Sequence, residues 1–274
     1  MELTFRKHPF LQPPTDEEIV LLAEKDPQLL EQLYNAHEGR IQASEEDPVR
    51  YGFDLPGWER MRNSLNQYTW KIVLGGNRSG KTRKTKSTEG YINFSMQNGF
   101  TGSSFIFPDT RTRVDFKTYT QYSNNQTILE GFEFGFKNPK DINVGAWLDE
   151  YLGDAALVNT LRFRLATRDS KLVIGFTPID GYTPFISDYL KGAETLGTRK
   201  AELLARRELP IEQYSPERDA SIVYLHSDEN PFGGYERIAK DLKGRPEDEI
   251  MVRAYGMPVK SMTSLLPLFN TEVN

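Results

Sequence analysis

Trp70-Lys71-Ile72-Val73-Leu74-Gly75-Gly76-Asn77-Arg78-Ser79-Gly80-Lys81-Thr82 is the stretch that decides how this chain reads. Trp70, Ile72, Val73 and Leu74 are apolar, and Ile72 and Val73 favour a short buried strand. Gly75 to Thr82 then fits G-x-x-x-x-G-K-[ST], a loop that cradles phosphate. The residue types follow from the chemistry. Gly75, Gly76 and Gly80 permit positive φ and close backbone approach, so the N–H groups of Asn77, Arg78 and Ser79 can turn towards phosphate oxygens. A helix starting near Gly80 adds its positive N-terminal end. In such a loop Lys81 reaches the β- and γ-phosphates, and the Thr82 hydroxyl ligates Mg²⁺. The competing reading is a Gly-rich turn carrying an exposed lysine, and the apolar strand just before it weighs against that.

Composition bounds the partners. A chain of 274 residues can hold one substantial core, or one large domain plus a helical appendage. The absence of cysteine excludes disulfides, thiolate metal ligands and Cys nucleophiles, and fits a reducing compartment. The start, from Met1 to Lys7, lacks an apolar core of signal-peptide length, and no later apolar run can span a bilayer, so no membrane partner is expected. A net charge of -5 argues against coating nucleic acid by bulk attraction, yet leaves room for a local basic patch.

Residues 1–50 read as an acidic helical extension. Thr15 caps a helix whose capping box is completed by Glu18, and a second helix starts at Asp26-Pro27. Packing against a core is the preferred role for this region, with docking of another protein the alternative. Trp58, Arg60 and Gln67 lie upstream of the loop, where adenine-recognising residues often sit, though each reads more readily as structural. The basic segment from Arg83 reads as a solvated helix face. Ser103 to Asp109 reads as a second strand.

Two carboxylate positions compete for a role beside the phosphates. Asp109 is the weaker, because Pro108 precedes it and no acid follows. Val144-Gly145-Ala146-Trp147-Leu148-Asp149-Glu150 is the stronger: a buried parallel strand ending in adjacent acids that point to opposite sides. Asp149 is the candidate Mg²⁺ ligand and Glu150 the candidate base that orients the attacking water. Lys171 to Phe176 predicts another strand. The hydroxyl of Thr177 at its tip either senses the γ-phosphate or caps the turn before Pro178. Ile222 to His226 is a last strand, and helices follow over 234–242 and 247–255. His226 has no metal-ligand partners at useful spacing and reads as structural.

Together these motifs resemble the N-terminal ATPase domain of the large terminase subunit of tailed bacteriophages. Gly75 to Thr82 resembles the family's Walker A, including its internal arginine, here Arg78. Leu148-Asp149-Glu150 resembles Walker B, and Phe176-Thr177-Pro178 the coupling motif. His226 to Pro231 and Arg253 to Pro258 resemble the stretches that close the domain, and Ser264 to Asn270 the link towards a nuclease. The resemblance implies an α/β fold: a RecA-like P-loop NTPase of the ASCE type, with a mainly parallel central sheet flanked by helices. It places the ATPase domain over 51–260, with a closing subdomain from about 220 and a linker over 261–274.

It also implies an ATP- and Mg²⁺-dependent motor that drives double-stranded viral DNA through the portal protein. Such a motor works with a small terminase subunit, as a homo-oligomeric ring, usually a pentamer. It acts in the bacterial host cytoplasm and transiently at the procapsid portal vertex. Catalytic roles fall on Lys81, Glu150 and Arg78, with Arg78 acting in cis or sensing nucleotide. Arg162, Arg164, Arg111 and Arg113 are candidates for an arginine that reaches a neighbouring subunit's nucleotide.

The usual upstream glutamine is not evident at its expected distance, so adenine recognition stays unassigned. The chain ends at Asn274, where the family's nuclease would begin. A fragment, or the product of a split gene, is therefore expected to lack nuclease activity. Two alternatives stay open: another RecA-like DNA motor of helicase type, and a nucleotide-dependent portal- or DNA-binding module without turnover.

Overall fold

The computed structural model describes residues 3–46, 51–65, 67–68, 70–75, 104–106, 112–137, 143–150, 154–180, 183–232 and 235–259. The chain divides into two units, Met1–Asp54 with Lys86–Asp115, and Leu55–Thr85 with Phe116–Asn274.

The first unit contains α1 (Asp16–Lys25), α2 (Pro27–Glu46) and, later in the chain, two short paired strands. The expected capping box is present: Thr15 Oγ1 accepts from Glu18 N at 3.2 Å while Glu18 Oε2 accepts from Thr15 N at 2.8 Å. Asp26 starts α2, its carboxylate accepting from Leu29 N at 3.0 Å, just ahead of Pro27. The extended residues before α1 are tied to α2. Phe5 packs edge-on against Tyr34 and His37, and Arg6 pairs with Glu38 at 2.6 Å.

The second unit opens with α3 (Pro56–Leu65) and β1 (Trp70–Gly75). The short strands β2 (Ser104–Ile106) and β3 (Arg113–Asp115), which belong to the first unit, pair antiparallel with each other and stand outside the main sheet. The second unit resumes with α4 (Tyr119–Asn124), β4 (Val144–Asp149), α5 (Ala155–Ala166), β5 (Lys171–Phe176) and α6 (Pro184–Leu190). It finishes with β6 (Glu194–Lys200), β7 (Glu208–Ser215), β8 (Ala220–Leu225), α7 (Tyr235–Leu242) and α8 (Glu247–Tyr255).

Six of these strands form one sheet in the order β4-β5-β1-β8-β7-β6. The first four are parallel, and β7 and β6 add antiparallel at the far side. The fold is therefore α/β, a mostly parallel sheet flanked by helices. β1, β5 and β8 are apolar on both faces because helices cover both. On one face Ile72, Leu74, Ile174 and Ile222 pack with Leu157, Leu161, Ile186 and Tyr189 of α5 and α6. The side chains of α3 lie against the other face, where Trp58 meets Trp147 of β4 at 5.5 Å between ring centroids. β4 differs from its sequence reading. It is half-buried rather than buried, and among the described residues it is an edge strand with a neighbour on one side only. No helix among the described residues is long and apolar enough to cross a membrane.

Lys71 is an ionisable side chain buried in the core. It sits in the middle of the sheet at 1 % exposure, donates to Ser64 Oγ at 2.6 Å and lies 5.0 Å from the Tyr68 ring centroid. Burial pushes its ammonium down from 10.5 to about 7, with Lys171 adding to the fall and Glu212 and Asp219 opposing it. Folded Lys71 sheds its proton near pH 7 while the unfolded chain keeps it to about 10.5, so between these limits the unfolded state binds more protons and stability rises with pH. Lys71→Met removes the buried charge, and Ser64 Oγ still donates to Arg60 O at 3.0 Å. The substitution is expected to raise stability near pH 6 by on the order of 1–3 kcal/mol and to flatten the rise from pH 7 to 9. Urea unfolding midpoints across that range test this; a wild-type midpoint that falls with pH contradicts it.

Candidate functional site

Parallel strands bring their C-terminal ends to one edge, where open α/β sheets bind ligands. Register fixes which residues meet there. Leu74 pairs with Phe176, Asp149 with Gly175, and Gly75 with Leu225. Gly75, Thr177, Asp149, Glu150 and His226 therefore arrive at the same edge from β1, β5, β4 and β8. β5 stands between β1 and β4, so Thr177 lies between Gly75 and the acids. With strands about 4.8 Å apart, Gly75 and Asp149 are separated laterally by about 10 Å.

The tip of β4 is held by a residue that sequence reasoning missed. The Tyr119 hydroxyl donates to the backbone oxygen of Asp149 at 2.9 Å. Burial, and then the charges of Asp149 and Glu150, push Tyr119 up to about 12, so it remains a protonated donor across the neutral range. Tyr119 is itself fixed as the first residue of α4, behind a second capping box formed by Thr118 and Gln121. The pattern T-x-x-Q is a sequence signal that could have located this helix.

Glu150 follows directly, exposed to solvent and with φ 51°. A non-glycine residue there stores on the order of 1–3 kcal/mol of backbone strain, a cost that clusters at functional sites. Beyond β5, the Thr177 carbonyl accepts from Ile179 N at 2.8 Å, turning the chain away immediately after the hydroxyl. The Asp149 carboxylate is a hard oxygen donor of the kind Mg²⁺ takes, while among the described residues no group of three or more His, Cys, Asp or Glu could hold a metal.

Past β8 lies a compact ionic cluster. Arg60 of α3 forks onto Glu229 at 2.8 and 2.7 Å and also donates to Tyr224 O at 3.3 Å. Arg199 of β6 pairs with Asp228, whose side chain is 0 % exposed. His226 is fully buried, its ring edge-to-face with Tyr255 at 5.1 Å, and neither nitrogen has a hydrogen-bond partner among the described residues. Burial pushes it down to about 4, against the opposing pull of Glu229 and Asp228.

The other candidate residues fall as follows. Trp58 is buried and Arg60 is committed to Glu229, which accords with structural roles; Gln67 is exposed. Arg162 lies 5.0 Å over the Trp70 ring, Arg164 lines a surface cavity with Phe132 and Phe163, and Arg113 pairs with Asp115 at 2.8 Å. Gly76, Asn77, Arg78, Ser79, Gly80, Lys81 and Thr82 lie outside the described residues, as do Asp109 and Arg111.

Two stability effects follow. Glu150→Gly relieves the positive φ and is expected to raise stability by on the order of 1 kcal/mol, since some of the gain is lost to glycine's extra freedom in the unfolded chain. A lower melting temperature in the variant contradicts the assigned strain. Folded His226 stays neutral to about pH 4 while the unfolded chain protonates near 6.5, so stability is lost as pH falls through this window. His226→Met, which deletes two unpartnered nitrogens, should flatten that loss; thermal scans at about pH 4.5 and 7 read the difference.

No protein-family model matches this chain, and neither does any curated protein.

Proposed function

We propose that this chain is the ATP-hydrolysing motor domain of a viral terminase large subunit, driving double-stranded DNA into a procapsid. What supports the reading is one juxtaposition: a phosphate-loop sequence begins at the C-terminal end of β1, and an Asp-Glu pair ends β4 at the same sheet edge. The sheet order is compatible with the RecA-like architecture that this reading requires.

The roles follow from charge and reach. Lys81 offsets negative charge on the β- and γ-phosphates as a point cation, with Arg78 adding a second positive group in the same loop. The separation of about 10 Å across β5 leaves room for the terminal phosphate and an attacking water between the loop and the acids. Mg²⁺, when bound, would neutralise phosphate charge, held by Asp149 and Thr82. Glu150 orients the water and accepts its proton as oxygen attacks the γ-phosphorus and ADP leaves. The Thr177 hydroxyl, midway between loop and acids, is positioned to respond to the γ-phosphate. In this reading the chain acts on the portal with the small subunit, as a ring of copies in which an arginine from one subunit completes its neighbour's site.

Steady-state ATP hydrolysis with Mg²⁺ tests the proposal. Lys81→Ala is expected to abolish turnover and weaken ATP binding. Glu150→Gln should keep Mg-ATP binding and lose turnover by about 10²-fold or more, and Asp149→Asn should lose Mg²⁺-dependent affinity as well. Equal turnover in wild type and Lys81→Ala, or a larger defect in Asp109→Asn than in Asp149→Asn, defeats the assignment. A chain that binds Mg-ATP without any turnover favours a binding module instead.

A further inference from the structure

The turn that ends α8 is built directly against the point where the phosphate loop leaves β1. Gly256 closes the helix at φ 65°, its N–H donating to Val252 O at 3.1 Å while Met257 N–H donates to Met251 O at 3.0 Å. A Cβ at Gly256 would lie 2.7 Å from Leu74 O, 2.8 Å from Gly75 N and 2.8 Å from Leu74 C. The turn and the Leu74–Gly75 peptide are thus in backbone-to-backbone contact with no room for a methyl group. Neither partner is free to give. Leu74 and Gly75 are paired in β1, with β8 on one side and, for Leu74, β5 on the other. The turn is anchored by Tyr255, fully buried, whose hydroxyl accepts from Leu203 N at 2.9 Å and whose ring takes the edge of His226.

We propose that Gly256 is a positioning residue for the nucleotide site: the α8 turn sets the place of Gly75, the first residue of the phosphate-loop sequence. The inference rests on the reading of Gly75 to Thr82 under Proposed function. Any side chain at position 256 forces the turn and the Leu74–Gly75 peptide apart by several tenths of an ångström to reach an ordinary contact of 3.4 Å. Misplacement of about 1 Å in a site that aligns reacting groups is worth about 10²-fold.

Other glycines supply the controls. Gly192 and Gly244 also have positive φ, 68° and 78°, but a Cβ there meets nothing within 4 Å. Alanine at either carries the same backbone strain without the contact. Fluorescent mant-ADP with Mg²⁺ is titrated into wild type, Gly256→Ala, Gly192→Ala and Gly244→Ala at low temperature, with each chain verified folded by circular dichroism. Gly192→Ala and Gly244→Ala are expected to bind within about twofold of wild type. Gly256→Ala should bind at least tenfold more weakly and show a matching rise in KM for ATP. A folded Gly256→Ala that binds as the controls do overturns the proposal while leaving the site reading intact. A wild type that binds no nucleotide overturns both. Should Gly256→Ala fail to fold, amide exchange in the wild type decides: Mg-bound ATPγS should slow the Gly256 and Met257 amides at least threefold, and unchanged exchange overturns the proposal.

Discussion

β1 is held by parallel hydrogen-bond ladders on both sides, β5 on one and β8 on the other, and the rest of the second unit depends on that seating. A strand so placed has no backbone group left for water and no face left for solvent, which is why its residues are apolar apart from Lys71. The same parallel pairing delivers four strand ends to a single edge. The chemistry proposed for this protein would then be a consequence of strand direction: Gly75, Thr177 and the acids reach one edge because their strands point the same way.

Strands whose apolar runs are buried on both faces were legible in the sequence, and so was the capping box at Thr15. The antiparallel pair β6 and β7 was not, because Glu194 to Lys200 is largely polar and exposed, while Glu208 to Ser215 mixes polar and apolar residues without a clean alternation and carries Pro210, which breaks the pattern of a strand. β4 was legible as a strand but not as an edge, since one-sided pairing leaves no mark on a run as short as Val144 to Asp149. Tyr119 was missed because its bond to Asp149 joins a side chain to a backbone carbonyl thirty residues away, and spacing rules do not reach that far. Gly256 reads from sequence only as a helix stop; its contact with Leu74 and Gly75 exists only once the sheet is assembled.

The segment after β8 handles its charges differently from the rest of the core. Arg60, Glu229, Arg199 and Asp228 sum to zero, and each charge faces an opposite one. Buried ions are tolerated on that condition, and removing one partner leaves an uncompensated charge worth about 3–5 kcal/mol. The cluster ties α3, which precedes β1, to β6 at the other side of the sheet. His226 stays neutral beside it down to about pH 4, so its ring adds no positive charge to the cluster above that pH.

The two margins of the sheet have a consequence for how copies of this protein can meet. β4 is irregular between Val144 and Ala146, and the pairing of β6 shifts register on both sides of Gly197. β6 also carries exposed Glu194 and Lys200. Bulges and charge on an outer strand frustrate the addition of another strand. Among the described residues neither margin is a flat, regular edge, which disfavours extending the sheet into a neighbour by backbone pairing.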